Sequence, residues 1–102
     1  MAKGYVMFTE GAIRDPASMD AYAQQSFPTM AAAGGRLLVA DERPEVLEGE
    51  WRANRTVIIE FDSVEAARQW YRSPDYQAAI PLRQAGADTD VVILAGFDMP
   101  GH

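Results

Sequence analysis

Three short segments of the chain carry apolar side chains on both sides of an extended backbone. They are RLLVA at 36–40, RTVIIEF at 55–61 and DVVILAGF at 90–97. Successive side chains of a strand alternate between faces, so Ile59 would oppose Ile58, and Leu37 and Val39 would oppose Leu38. Strands that are apolar on both sides belong to sheets that are covered on both faces. The chain must therefore build a sheet with neither face left to water.

A fourth alternating segment at 3–10 and two helical segments complete the pattern. The first helix is predicted to begin at Pro16 after an Asp15 cap and to end before Gly34, with Pro28 expected to kink it or to end its first part. The second is predicted to open with a capping box at 62–65, to restart at a Ser73 cap and to end at Gly86. The order β-α-β-β-α-β predicts an α+β, ferredoxin-like fold, with a four-stranded antiparallel sheet and helices on one face.

The chain length of 102 residues allows one domain. We predict a single domain over 1–98 and a C-terminal tail at 99–102. The N-terminal residues show no signal-peptide pattern, and no apolar run is long enough to span a membrane. The expected location is therefore the cytoplasm.

The helices of such a fold cover only one face of the sheet. The other face would leave a patch of roughly several hundred Å² or more, which is larger than a monomer normally exposes. A second copy packed sheet to sheet is the simplest cover, and such an interface has two-fold symmetry. The pattern therefore predicts a homodimer.

Composition excludes several classes of function. Nine Lys and Arg against fifteen Asp and Glu give a net charge of −6, which disfavours nucleic acid and anionic membranes as partners. The chain has no cysteine, which excludes disulfides, thiolate zinc sites and a thiol nucleophile. The single histidine is His102, so a Ser-His-Asp triad and internal histidine metal or haem ligands are excluded. We predict no metal and no cofactor.

Several stretches together carry a family resemblance. They are KGYVMF, GGRLLV, EVLEGEW, VIIEFDSVEAARQWYRSPDYQAAIPLR at 57–83, and DTDVVILAGF. With these stretches, nearly the whole chain resembles the domain of unknown function 1330 family. The resemblance implies a dimeric α/β-barrel of the ferredoxin-like type. That broad superfamily includes cofactor-free monooxygenases, haem-degrading enzymes and small isomerases, but the family resemblance implies no mechanism.

Glu60 is the candidate catalytic residue, because it interrupts an apolar run on an expected central strand. A buried carboxylate must be paired, hydrogen-bonded or protonated. It could serve as a general base, or as an acid with a raised pKa. It could instead hold the fold together by pairing with Arg36, Arg55 or Arg83.

Arg83 is the leading candidate for substrate binding, since a guanidinium can grip a carboxylate with two hydrogen bonds. It could equally pair with Glu60 or Asp88. Tyr76 lies near it on the same helix. The other candidate substrate-binding residues are Trp70, Tyr22 and Arg36, although aromatic residues at helical spacing are commonly core. Trp51 lies in a polar connection, where a large aromatic side chain is often anchored to its own core, a partner chain or a ligand.

Two classes of function remain open. The first is a cofactor-independent enzyme, similar to a monooxygenase or isomerase, that acts on a small organic acid or aromatic compound. The alternative is a dimer that binds a small molecule without turnover or has a purely structural role. The pattern does not decide which face of the sheet carries Glu60.

Overall fold

The computed structural model describes residues 2–100 and confirms the ferredoxin-like prediction. The elements are β1 (Gly4–Ile13), α1 (Pro16–Ala32), β2 (Arg36–Asp41), β3 (Arg55–Phe61), α2 (Val64–Arg72), α3 (Pro74–Gly86) and β4 (Ala87–Ala95). The sheet has the order β2-β3-β1-β4, and every neighbouring pair is antiparallel. The division into a domain over 1–98 and a tail stays a prediction. Met1, Gly101 and His102 lie outside the described residues.

α1 and α3 begin at the predicted caps Asp15 and Ser73, whereas α2 is capped by Ser63, one residue after the start of the predicted capping box. The capping oxygens of Asp15, Ser63 and Ser73 accept hydrogen bonds from the backbone N–H groups of Ser18, Ala66 and Tyr76. Ser73 also donates a hydrogen bond to the carbonyl of Trp70, at 2.7 Å. Ser73 therefore ends α2 and starts α3, which explains the SPDY stretch by helix capping alone.

Pro28 does not end the first helix, because α1 continues past it to Ala32. Proline costs the helix one backbone hydrogen bond. The turn beyond it is fixed by packing, because Met30 is buried in the core. Tertiary contacts thus outweigh the local preference of the proline.

The helices pack on one face of the sheet, and alternation decides which strand residues meet them. On β1 these are Gly4, Val6, Phe8 and Glu10, all of which are buried. A side chain at Gly4 would overlap the carbonyl oxygen of Ser63, so this glycine permits the start of α2 to approach the sheet closely. The core lies between this face and the helices.

An irregularity in β2 corrects one expectation from simple alternation. Leu37 pairs with Ile59, whereas Val39 pairs with Ile58, because the register shifts between them. Leu37 and Val39 therefore lie on opposite faces rather than on the same face. An extra residue in a strand reverses the alternation that follows it.

We call the side of the sheet away from the helices the open face. Its apolar residues include Leu38, Val39, Val92 and Leu94, all of which are exposed. Ile58, on the central strand β3, lies among them and is partly exposed. The prediction that helices cover only one face of the sheet is confirmed. Within residues 2–100, no helix is both long enough and apolar enough to cross a membrane.

Candidate functional site

Arg83 is a buried cation near the end of α3, with only 4% of its surface exposed. Its guanidinium carbon lies 5.8 Å from the centre of the Phe8 ring, within the range of a cation–π contact. It does not pair with Glu60 or Asp88, because those carboxylates bind Arg36 and Arg14. Across residues 2–100, Arg83 forms no salt bridge, and its Nε atom has no hydrogen-bond partner.

Two tyrosines lie beside Arg83 and join α1 to α3. The hydroxyl oxygens of Tyr22 and Tyr76 are 2.8 Å apart, so one hydroxyl donates a hydrogen bond to the other. Burial raises the pKa of both phenols above the ordinary value, and the positive charge of Arg83 only partly opposes this. Both side chains are therefore neutral at physiological pH. They do not supply the negative charge that Arg83 lacks.

Trp70 completes this cluster from α2. Its ring centre is 4.1 Å from that of Tyr76 and 5.3 Å from that of Phe61. Its indole N–H donates a hydrogen bond to Thr29 Oγ1 at 3.1 Å, which ties α2 to α1. The structure thus brings together four of the predicted site residues: Arg83, Tyr76, Tyr22 and Trp70.

A cleft of about 570 Å³ opens beside Arg83, and we call it the Arg83 cleft. Its lining includes Trp51, Arg52, Arg83, Asp88, Thr89 and Asp90. It adjoins the place where the register of β1 and β4 shifts, between Glu10 and Ile13. The Thr89 hydroxyl is buried and, like Arg83 Nε, has no hydrogen-bond partner in the described part of the chain. Two of the residues that line this cleft therefore each contain a buried polar atom without a partner.

Glu60 lies on the open face, whereas Arg83 packs on Phe8 on the helix side, so the sheet lies between these two side chains. Its carboxylate accepts hydrogen bonds from Arg36 Nε at 2.9 Å and from the Tyr5 hydroxyl at 3.0 Å. These two donors lower the pKa of Glu60 below its ordinary value, which is opposite to the raised pKa expected of a buried acid.

Arg36 also lies on the open face and binds Asp62 as well, at 3.2 Å. The roles suggested for Glu60 in catalysis and for Arg36 in binding stay predictions, and they would concern this second location.

Glu10 is a further candidate residue that the sequence pattern did not predict; it lies on the helix side of β1 and is 2% exposed. Arg55 Nε and Nη2 donate to its two carboxylate oxygens at 2.7 and 3.2 Å. With Tyr22 and Trp70, Glu10 lines a narrow groove of about 170 Å³ between α1 and the sheet. Alternation offered a signal, since Glu10 continues the buried series that includes Phe8.

Among residues 2–100, no group of three or more His, Cys, Asp or Glu side chains is arranged to hold a metal ion. The buried carboxylate of Glu10 on the helix side is paired with Arg55. Arg83 provides the cleft with a group suited to binding an anion.

Three solved structures share this fold. A protein of unknown function from Rhodopseudomonas palustris is 22% identical, with a TM-score of 0.76 over 96% of this chain and 85% of that chain. A dimeric ferredoxin-like protein of unknown function from Thermobifida fusca is 14% identical, with a TM-score of 0.60 over 92% and 91%. SnoaB, a cofactor-independent oxygenase from Streptomyces nogalater, is 14% identical, with a TM-score of 0.60 over 99% and 97%.

At these identities the likeness shows the fold alone. No curated protein matches this chain. The profile of the family described as domain of unknown function (DUF1330) matches residues 3–97, almost the whole chain. The chain therefore belongs to the DUF1330 family.

Proposed function

We propose that the Arg83 cleft binds a small organic acid, whose carboxylate is held by Arg83. One observation carries this proposal: a buried arginine that has no acidic partner among residues 2–100. An unpaired buried charge is costly, and a ligand carboxylate would offset that cost. The planar guanidinium matches a carboxylate in geometry as well as in charge.

The rest of the cleft suggests a compact ligand with a flat apolar part. Its volume of about 570 Å³ lies within the usual range for small-molecule sites. Trp51 lines it and is about half exposed, so its ring is free to pack against a ligand. The exposure of Trp51 at the cleft supports the interpretation of this residue as one that binds a ligand.

The proposal is tested by calorimetric titration with 3-phenylpropionate and its neutral amide, 3-phenylpropionamide. We expect the acid to bind and the amide to bind much more weakly. The Arg83→Gln variant should lose about 10- to 100-fold in affinity for the acid, the usual worth of a hydrogen bond to a charged group. Arg68→Gln, on the exposed side of α2, is the matched control and should bind as the wild-type protein does. Equal affinity for acid and amide would contradict the proposal.

We also propose that a second copy covers the open face. The apolar residues Val92, Leu94, Leu38 and Val39 are exposed there, and a solved relative of the same fold is described as dimeric. A two-fold, sheet-to-sheet interface would bury this apolar patch. Sedimentation equilibrium should give about twice the chain mass of 11.2 kDa. A monomer at micromolar concentration would contradict the dimer.

Cofactor-independent catalysis is the second candidate function, and the tyrosine pair favours it. Two neutral phenols, hydrogen-bonded at 2.8 Å beside a buried cation, could deliver a proton to an anionic intermediate that Arg83 stabilises. SnoaB, which has this fold, is a cofactor-independent oxygenase, and the link to this chain is analogy. Glu10 and Trp70 would then shape the adjoining groove, while Glu60 would lie across the sheet.

Recovery of the bound acid distinguishes the two candidates. The protein is incubated with excess ligand in air, and the ligand is then examined by proton NMR. Unchanged ligand favours binding alone, whereas a new species that requires Tyr76, tested with Tyr76→Phe, favours turnover.

A further inference from the structure

A second cavity lies on the helix side of the sheet, away from the Arg83 cleft. It is the groove of about 170 Å³ between α1 and the sheet, which we call the α1 groove. α1 packs mainly against α3, whereas α2 packs against β1, β3 and β4. Leu37 and Ala40 of β2 line the groove, and every residue of β2 is exposed. The groove therefore lies where the helices leave β2 uncovered.

The lining of the α1 groove is largely apolar and partly aromatic. Phe8 and Trp70 form buried walls, while Phe27 of α1 and Leu37 of β2 are about half exposed. The other apolar lining residues include Ala23, Met30, Ala40, Val57 and Ile59. Half-exposed apolar side chains beside a cavity gain free energy when an apolar ligand removes them from water. The lining therefore favours an apolar ligand.

The two charged residues of the lining neutralise each other. Arg55 Nε and Nη2 donate to the carboxylate of Glu10 at 2.7 and 3.2 Å. A charged ligand group would lose its hydration in the groove without finding a free partner of opposite charge. The groove therefore favours an uncharged ligand, whereas the Arg83 cleft contains an unpaired cation.

The volume of the groove limits the ligand to about one ring. An apolar cavity of about 150 Å³ is large enough to bind benzene. The α1 groove has a similar volume, about 170 Å³. A flat ring can also make stacked or edge-on contacts with the aromatic side chains of Phe8, Phe27 and Trp70.

We infer that the α1 groove is a second binding site, which takes an uncharged ligand with a single aromatic ring. This site is independent of the proposed function, because among the described residues the groove and the Arg83 cleft share no lining residue. The chain has two tryptophans, and each lines one of the cavities: Trp70 the groove and Trp51 the cleft. Binding at the two sites can therefore be observed separately.

The test follows the two tryptophan indole N–H resonances by nitrogen–proton correlation NMR at neutral pH. The spectrum of Trp51→Phe assigns them, because it retains only the resonance of Trp70. The probes are benzyl alcohol, which is uncharged, and benzoate, which carries a carboxylate on the same ring. We expect benzyl alcohol to shift the Trp70 resonance until it saturates. Benzoate at the same concentrations should leave the Trp70 resonance in place, since the groove offers its carboxylate no free cation.

A substitution that fills the groove ties this binding to α1. Ala23 is exposed and lines the groove, and leucine is a good helix former, so Ala23→Leu should keep the fold. Its affinity for benzyl alcohol should fall at least about tenfold, since a single excess methylene in an apolar pocket can cost that much. Ala21→Leu is the matched control, because Ala21 is exposed on the same helix but lies outside the lining. It should bind benzyl alcohol as the wild-type protein does.

Three results would overturn the inference. The first is a Trp70 resonance that benzyl alcohol does not shift, or that it shifts with equal affinity in Ala23→Leu. The second is a shift of the Trp70 resonance by benzoate equal to that by benzyl alcohol. The third is a Trp70 resonance that moves with protein concentration and not with the probe, which would mean that a second copy covers the groove. Failure of the proposed function is seen separately, as a Trp51 resonance that 3-phenylpropionate does not shift.

Discussion

The Arg83→Met variant is expected to be more stable than the wild-type protein, with a free energy of unfolding about 1–3 kcal/mol higher. It should also lose affinity for 3-phenylpropionate. Arg83 is 4% exposed and has no carboxylate partner among residues 2–100. Methionine is long, flexible and apolar, so it can fill the space over Phe8 without a desolvated charge. A residue kept for binding at a cost in stability should behave in this way.

Urea unfolding at a fixed protein concentration measures this difference, because the stability of a dimer depends on concentration. Arg68→Met is the control at an exposed arginine, and its effect should stay within about 0.5 kcal/mol. A loss of stability in Arg83→Met would mean that Arg83 supports the fold. Binding by Arg83→Met at wild-type affinity would remove Arg83 from the site.

Glu10→Gln is expected to lower the free energy of unfolding by about 2–4 kcal/mol, because it breaks a buried ion pair from one side. Both carboxylate oxygens of Glu10 bind Arg55, at 2.7 and 3.2 Å, and the carboxylate is 2% exposed. The amide can keep one acceptor oxygen but presents an NH₂ group to a guanidinium, which has only donors. Arg55 is partly exposed and can reach water, so the loss stays below that of a fully buried pair.

Glu65→Gln is the matched control, since Glu65 forms an exposed ion pair with Arg68 on α2. Its effect should be within about 0.5 kcal/mol, as for most surface pairs. Thermal and urea unfolding of both variants give the comparison. If Glu10→Gln proves as mild as Glu65→Gln, the Glu10–Arg55 pair does not hold β1 to β3.

Strand and helix positions could be predicted because their signals are local. Alternation at 55–61 and the caps at Asp15 and Ser73 depend on neighbouring residues alone. The face of the sheet that the helices take depends on how the whole chain packs. Alternation correctly separated Glu60 from Ile59, but it could not say that Ile59 would meet the helices and Glu60 the open face.

The site was predicted in part for the same reason. Arg83 and Tyr76 lie on one helix, so their proximity follows from helical spacing. That Arg83 would lack a partner depends on distances to Asp88 and Glu60, which sequence does not give. Glu10 was missed because it lies at the end of the strand predicted at 3–10, although it shares the buried face of Phe8.

A crystal structure of the protein with 3-phenylpropionate would show directly whether Arg83 binds a carboxylate. We expect density for the ligand in the Arg83 cleft, with its carboxylate about 3 Å from the Arg83 guanidinium and its ring against Trp51. An empty cleft at saturating ligand, or a ligand bound elsewhere with Arg83 paired to a protein carboxylate, would contradict it.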